Sequence, residues 1–209
     1  AGLPVHPGTG HEDSLTTRLA CHFGQASFMP TPVHRLDRGT SGLMLVAASY
    51  AALDAAQQAL RANTMHKEYV AWVAGRWPHA QTCLVRHFLR KETVDGFERM
   101  RPVAAAAPNA KEALCLVRAL SINDRASLVQ VRLLTGRTHQ IRVQLSSLGH
   151  PVLGDAKYGQ ARAGATLYLH SLRIVLPEGP VFACLPPWSG PRALTALPEP
   201  IDHGPQASP

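Results

Sequence analysis

Residues 34–47, HRLDRGTSGLMLVA, constrain the fold of this chain more than any other stretch. They run from His34, Arg35, Asp37 and Arg38 through a Thr-Ser-Gly turn into an apolar segment. Residues 42–47 have the length and apolar content of a buried strand. A carboxylate is therefore set at the mouth of the core. Burial of that carboxylate without a partner carries a heavy desolvation cost. Either the fold delivers a guanidinium to Asp37, or the residue is a surface turn closed by an ion pair with a neighbouring arginine. A charged carboxylate in a dry cleft is a nucleophile or base awaiting a substrate.

A second stretch bears on the choice. Residues 133–159, LLTGRTHQIRVQLSSLGHPVLGDAKYG, read as a strand ending at Leu134, a turn at Gly136 and a helix from Thr138 to Leu148. Thr138 is the predicted N-cap, Gly149 the stop, and Ile141, Leu145 and Leu148 the buried stripe. Arg137 stands at the helix N-terminus, where free N–H groups and the dipole attract anions. Arg142 shares a face with His139 and can point inward at a buried carboxylate. A merely capped surface helix has much the same pattern.

The rest of the chain supplies the frame. A short helix is expected near residues 15–23, and HPGTGHED reads as a surface loop because it lacks the G-K-[ST] ending of a phosphate loop. Ser49 is a helix N-cap, with Leu53, Ala56 and Leu60 at helical spacing and Asn63 at the end. Strands are expected at 67–75, 113–120, 126–134 and 168–176, with a hairpin turn at INDR. In the third of these Val129, Val131 and Leu133 face one way, Gln130 and Arg132 the other. Residues 77–112 read as irregular and basic. After Leu176 the prolines crowd into a Pro-rich segment, 177–209, only partly packed on the domain. This mixture, with more strand than helix, indicates an α+β domain over residues 1–176.

Composition narrows the function class. The chain has 209 residues, 45% of them hydrophobic, enough for one sizeable core and too apolar for disorder. No apolar run approaches the ~18 residues of a membrane span, and no signal-peptide pattern opens the sequence. A net charge of +7 favours a polyanionic partner, nucleic acid above all. Cys21, Cys83, Cys115 and Cys184 form no C-x-x-C pair, which argues against a zinc ribbon and for reduced, mostly buried thiols in a cytoplasmic protein.

With these stretches in view the chain resembles the RluA-type RNA pseudouridine synthases. HRLDRGTSGL is similar to that family's signature. HKEYVAWV, TGRTHQIR and GHPVLGDAKYG resemble its later blocks, in the same order. AGLPVHPG looks like the end of a stretch that follows a first strand and a Lys-Pro. The abrupt start without Met suggests a fragment lacking that strand, and no extra RNA-binding domain is visible before the catalytic one.

The resemblance implies the pseudouridine synthase fold, a mixed and mostly antiparallel central sheet flanked by helices and loops. It implies an isomerase that detaches uracil from ribose in ribosomal or transfer RNA, turns it and rejoins it through carbon, with no cofactor and no metal. Asp37 matches the catalytic aspartate, which attacks the sugar or removes a sugar proton. Tyr69 matches the tyrosine that stacks on the target base. Arg142 matches the arginine that pairs with Asp37, with Arg137 the less favoured candidate. Arg35 matches the residue that fills the space of the displaced base. His34, Arg38, Thr40, His139 and Gln140 are expected to shape the site or contact RNA. A monomer is the default.

Two other readings compete. A glycoside hydrolase needs two cooperating carboxylates, and Asp155, a further acid in the matching blocks, reads as a turn residue. A non-catalytic RNA-binding homologue explains the charge but not the joint presence of Asp37, Tyr69 and Arg142.

Overall fold

The computed structural model describes residues 1–8, 12–94 and 96–201. Part of the HPGTGHED loop lies outside the described residues. The order is α1 (Leu15–Phe23), β1 (Thr31–Pro32), β2 (Ser41–Gly42), β3 (Val46–Ala47), α2 (Tyr50–Arg61), β4 (His66–Ala74), β5 (Cys83–Val94), β6 (Phe97–Val103), β7 (Lys111–Ser121), β8 (Ala126–Leu133), α3 (Gln140–Ser147), β9 (Leu169–Val175) and β10 (Val181–Ala183). Seven strands follow one another across the main sheet as β10-β9-β4-β8-β7-β5-β6, all antiparallel. β2 adds to β9 in parallel, so the sheet is mixed. This is the α+β architecture that the strand-rich pattern predicts.

The central strand β4 is buried without a break from Glu68 to Val73. Its front face carries Tyr69, Ala71 and Val73, packed with Val129 and Val131 of β8 and with Ile141 and Leu145 of α3. Its back face carries Val70 and Trp72, packed with Leu128 and Leu172. Two-sided burial follows from coverage on both sides, by α3 in front and by the chain beyond β9 behind. A bulge between Glu68 and Tyr69 interrupts the β4–β9 ladder. The extra residue of this bulge is Leu172 of β9, and β4 itself keeps a regular register against β8.

Three expectations are corrected. Residues 42–47 are not one strand: β2 and β3 are separate two-residue pieces, because residues 43–45 leave β9 to return to β1. Residues 77–112 are not irregular: β5 and β6 form a long hairpin. Its alternating charges obscure it, since only Val85 and Leu89 of β5 are buried. Many of those charges are paired, Arg86 with Glu112 at 2.7 Å and Arg101 with Glu92 at 3.6 Å among them. Helix α3 is capped at His139, not Thr138, and Leu148 is 43% exposed rather than part of the buried stripe. Of the four free cysteines only Cys115 is buried, and Cys21 is exposed.

Behind the sheet, residues 198–201 form a strap. Arg173 donates to the Pro198 carbonyl at 2.7 Å, Gln130 to that of Glu199 at 3.1 Å and Arg132 to that of Ile201 at 2.8 Å. The Ile201 N–H donates to Glu68 at 2.8 Å, and Glu68 also holds Arg173 in a buried ion pair. The strap supplies hydrogen-bond partners to buried polar side chains of the sheet, Glu68, Gln130, Arg132 and Arg173. Ile201 is itself 2% exposed. Ile201→Ala is expected to lower the unfolding free energy by about 2–4 kcal/mol, read as a lower urea midpoint at unchanged m-value. Among the described residues no helix is long and apolar enough to cross a membrane.

Candidate active site

Asp37 lies on a loop stapled at its base. β1 pairs with β3 on one side, with Thr31 opposite Ala47. β2 pairs with β9 on the other, with Gly42 opposite Ser171. Gly42 has φ +103°, and a Cβ there would collide with the Ser171 backbone. Only glycine lets the strand after the loop approach β9 so closely. The Thr40 N–H donates to the Asp37 carbonyl at 2.8 Å, closing the turn. Inside the loop His34 Nε2 accepts the Leu45 N–H at 3.1 Å. Burial, helped by the nearby charge of Lys67, pushes the His34 pKa down to about 4. His34 is thus a neutral acceptor that braces the loop.

The guanidinium comes from a distant part of the chain, as the resemblance implies. Arg142 Nη1 donates to Asp37 Oδ2 at 3.1 Å. Its other edge is gripped in a two-pronged pair by Asp155, with Nε to Oδ2 at 2.8 Å and Nη2 to Oδ1 at 2.9 Å. Burial disfavours the arginine's charge, yet the hydrogen bonds and charges of Asp155 and Asp37 raise its pKa above the usual value. Neither Arg35 nor Arg38 performs this task. Arg38 donates instead to the Gly2 carbonyl at 3.0 Å, outside the residues that line the cleft.

Asp155 is the residue whose role the sequence reading missed. It is a turn residue, since Oδ1 accepts the N–H groups of Lys157 and Tyr158 at 2.9 and 3.0 Å. It is also 1% exposed and orients Arg142. Burial works against its charge, but hydrogen bonds and charge from Arg142, with those two N–H groups, hold its carboxyl below the usual range. A signal was present in Gly154-Asp155. Gly154 has φ +79°, and a Cβ there would overlap the Thr166 carbonyl. That glycine presses the turn into the core and takes the carboxylate with it. Tyr158 was missed as well. Its hydroxyl lies 2.7 Å from His139 Nδ1 and accepts the Met100 N–H at 3.1 Å, and its ring lies 5.2 Å from the Arg142 guanidinium carbon.

A cleft of about 920 Å³ opens beside Asp37. Nine of the ten residues named from the sequence line it: His34, Arg35, Asp37, Thr40, Tyr69, Arg137, His139, Gln140 and Arg142. Tyr69 is 6% exposed, and burial pushes its pKa up to about 12, so it faces the cleft as a neutral phenol. His139 holds a left-handed backbone, φ 52°, and its Nε2 lies 3.9 Å from Asp37 Oδ1. Burial lowers the His139 pKa against the opposing pull of Asp37. Left-handed backbone at a residue with a Cβ is costly and clusters at functional sites. Gln140 braces the loop: its Oε1 accepts the Thr135 hydroxyl and the Arg137 N–H at 2.8 and 2.9 Å, and its Nε2 donates to the Leu114 carbonyl at 3.0 Å. Arg137 is exposed, and its Nε donates to the Glu112 carbonyl at 2.8 Å, not to Asp37. Arg35 is exposed at the rim, while Thr40 is buried.

Asp37 is the one carboxylate among the described residues that line the cleft. A pair of carboxylates flanking a scissile bond is therefore not what the geometry offers. Asp155 is committed to Arg142 behind the wall. What remains is a single carboxylate with Oδ2 fixed by a guanidinium and Oδ1 without a hydrogen bond among the described residues, lining a cationic cleft with a buried tyrosine.

Fold and site define a class: a mixed-sheet domain with one arginine-held aspartate at a basic cleft. Comparisons with known proteins give the class its family. Residues 1–147 match the family model described as RNA pseudouridylate synthase. The chain is 37% identical over 182 residues to ribosomal large subunit pseudouridine synthase C of Vibrio cholerae, covering 83% of this chain and 55% of that protein. It is 36% identical over 179 residues to an RNA pseudouridine synthase of Chloroflexus aurantiacus, covering 82% and 54%. The solved structure of human RNA pseudouridylate synthase domain containing 4 superposes with a TM-score of 0.69 at 26% identity, covering 88% of this chain and 81% of that one. The chain belongs to the RNA pseudouridylate synthase family. It spans about half the length of the curated relatives it matches.

Proposed function

We propose that this chain carries the catalytic unit of an RNA pseudouridine synthase, converting uridine in structured RNA to pseudouridine. Relatives named for the ribosomal large subunit make large-subunit ribosomal RNA the first substrate to test, with transfer RNA second. The observation that carries the reading is the orientation of Asp37. Arg142, itself clamped by Asp155, fixes Oδ2, while Asp37 lines the same cleft as Tyr69.

In this reading the target uridine leaves its stack, at a cost of a few kcal/mol. Contacts between phosphates and the cationic cleft offset that cost. Tyr69 supports the base. Asp37 either adds to the sugar at C1′ or removes a sugar proton. The N1–C1′ bond breaks, the uracil turns within the cleft, and C5 bonds to C1′, displacing the Asp37 carboxylate or followed by return of the sugar proton, while the proton leaves C5 and one is taken up at N1. Enclosure keeps the freed base from escaping before it rejoins. Arg35, at the rim, is placed to enter the space the base vacates.

The test is incubation with uridine-containing ribosomal RNA followed by mass-spectrometric detection of pseudouridine, with Asp37→Asn in parallel. Pseudouridine from the parent protein alone, at similar RNA affinity for both, is expected. Equal binding with no modified base from either protein supports the rival reading of a binding homologue.

A further inference from the structure

Lys67 was not among the residues named from the sequence, yet it stands in the wall of the same cleft. It lies on β4 two residues before Tyr69, so both side chains rise from the front face. Its ammonium reaches the loop that leads into α3: a Cβ added at Gly136 would lie 3.5 Å from Nζ. Burial lowers its pKa, and no neighbouring carboxylate acts to restore it. Two other cations of the site and sheet have acids: Arg142 has Asp37 and Asp155, and Arg173 has Glu68. The Lys67 ammonium enters no ion pair or hydrogen bond among the described residues. A desolvated ammonium with no anion is costly, and this one faces an open cleft.

Asp37 is not its missing partner. Asp37 is paired with Arg142, and no ion pair joins it to Lys67. The Lys67 Nζ lies beside Gly136, next to the exposed Arg137. A full negative charge satisfies a half-buried cation far better than a neutral carbonyl does. In an RNA strand that charge is a phosphate.

We propose that Lys67 binds a non-bridging phosphate oxygen of the RNA backbone next to the flipped uridine, and so is a substrate-positioning residue of the cleft. This rests on the reading of the cleft as a uridine-isomerising site. The experiment is a cycle between Lys67→Met and RNA substrates in which one linkage at a time around the target uridine is a neutral methylphosphonate. Lys67→Met is expected to raise KM about 10-fold, with the larger part of the effect in KM, and to flatten the salt dependence of binding by about one phosphate contact. At one linkage the methylphosphonate is expected to weaken the parent protein by a similar factor and Lys67→Met no further. Lys67→Arg keeps the charge and is expected to retain the salt slope. The melting temperature of Lys67→Met is expected at or above the parent value, because an unpaired cation has been removed. Effects that multiply at every linkage overturn the proposal, as does a loss confined to kcat, which points to the base instead. Parent turnover on unmodified RNA is measured first. Its absence counts against the isomerase reading, while Kd against salt across the same cycle still decides for or against Lys67.

Discussion

Asp37→Asn is expected to abolish pseudouridine formation, with a fall in rate of at least about 10⁴-fold, while the protein stays folded. The substitution keeps shape and an oxygen able to accept from Arg142, so the loop retains its geometry. It removes the negative charge and with it the nucleophile or base. The folded state has little reason to suffer. Arg142 keeps its two-pronged pair with Asp155, so no buried cation is stranded. A change within about 1 kcal/mol is expected, as for substitutions that leave burial and partners in place. Stopped-assay kinetics and urea unfolding on the same preparation check both halves. Activity within 10-fold of the parent would sink the role given to Asp37.

Asp155→Ala is expected to do the reverse in emphasis: a loss of about 3–5 kcal/mol of stability, together with a loss of activity. Removal of this carboxylate leaves the Arg142 guanidinium, whose side chain is 11% exposed, without its main partner. It also leaves the N–H groups of Lys157 and Tyr158 unsatisfied. The remaining attraction to Asp37 pulls Arg142 toward the cleft, so Oδ1 and Oδ2 lose their distinct roles. The pH dependence separates this residue from Asp37. Asp155 has a folded-state pKa below its unfolded value. Its contribution is therefore fully present above the ordinary carboxylate range and is lost as pH falls below about 4 through the depressed folded value. Parent stability should decline across that acid window. The Asp155→Ala protein should lack that part of the decline, because the contribution is already gone at neutral pH. Parallel acid titrations of unfolding free energy for parent and Asp155→Ala test this, and superimposable slopes would count against the clamp.

The two carboxylates show how unevenly a site can be written in a chain. Asp37 was legible because it stands between arginines at the start of an apolar run, a place where a carboxylate needs a reason. Asp155 sits in LGDAKYG, where Gly-Asp reads as an ordinary turn. Its second role exists only because Gly154 brings the turn against Thr166 and because α3 turns Arg142 toward it. Tyr158 was silent for the same reason: its hydroxyl meets His139 and the Met100 N–H only after the β5–β6 hairpin has closed. That hairpin was itself hidden by its exposure. Two-sided polar strands lack the apolar alternation by which strands are recognised. His34, Gln140 and Arg38 are expected from their motifs to shape the site or contact RNA. The structure uses the first two to brace the loops that hold Asp37 and Arg142, and Arg38 to tie down Gly2.

Local order along the chain was enough to determine the helices at Leu15–Phe23 and Tyr50–Arg61, the inner strands β4, β7, β8 and β9, and the presence of an acid that must find an arginine. Caps, periodicity and apolar runs are properties of neighbouring residues, and neighbours are what a sequence displays. Which arginine answers Asp37, what holds that arginine still, and which face of β4 meets the cleft were decided by contacts across 105 and 13 positions of chain. Those contacts arise from the packing of α3 on the sheet and the close approaches that Gly42 and Gly154 allow, and packing acts through space rather than along the backbone.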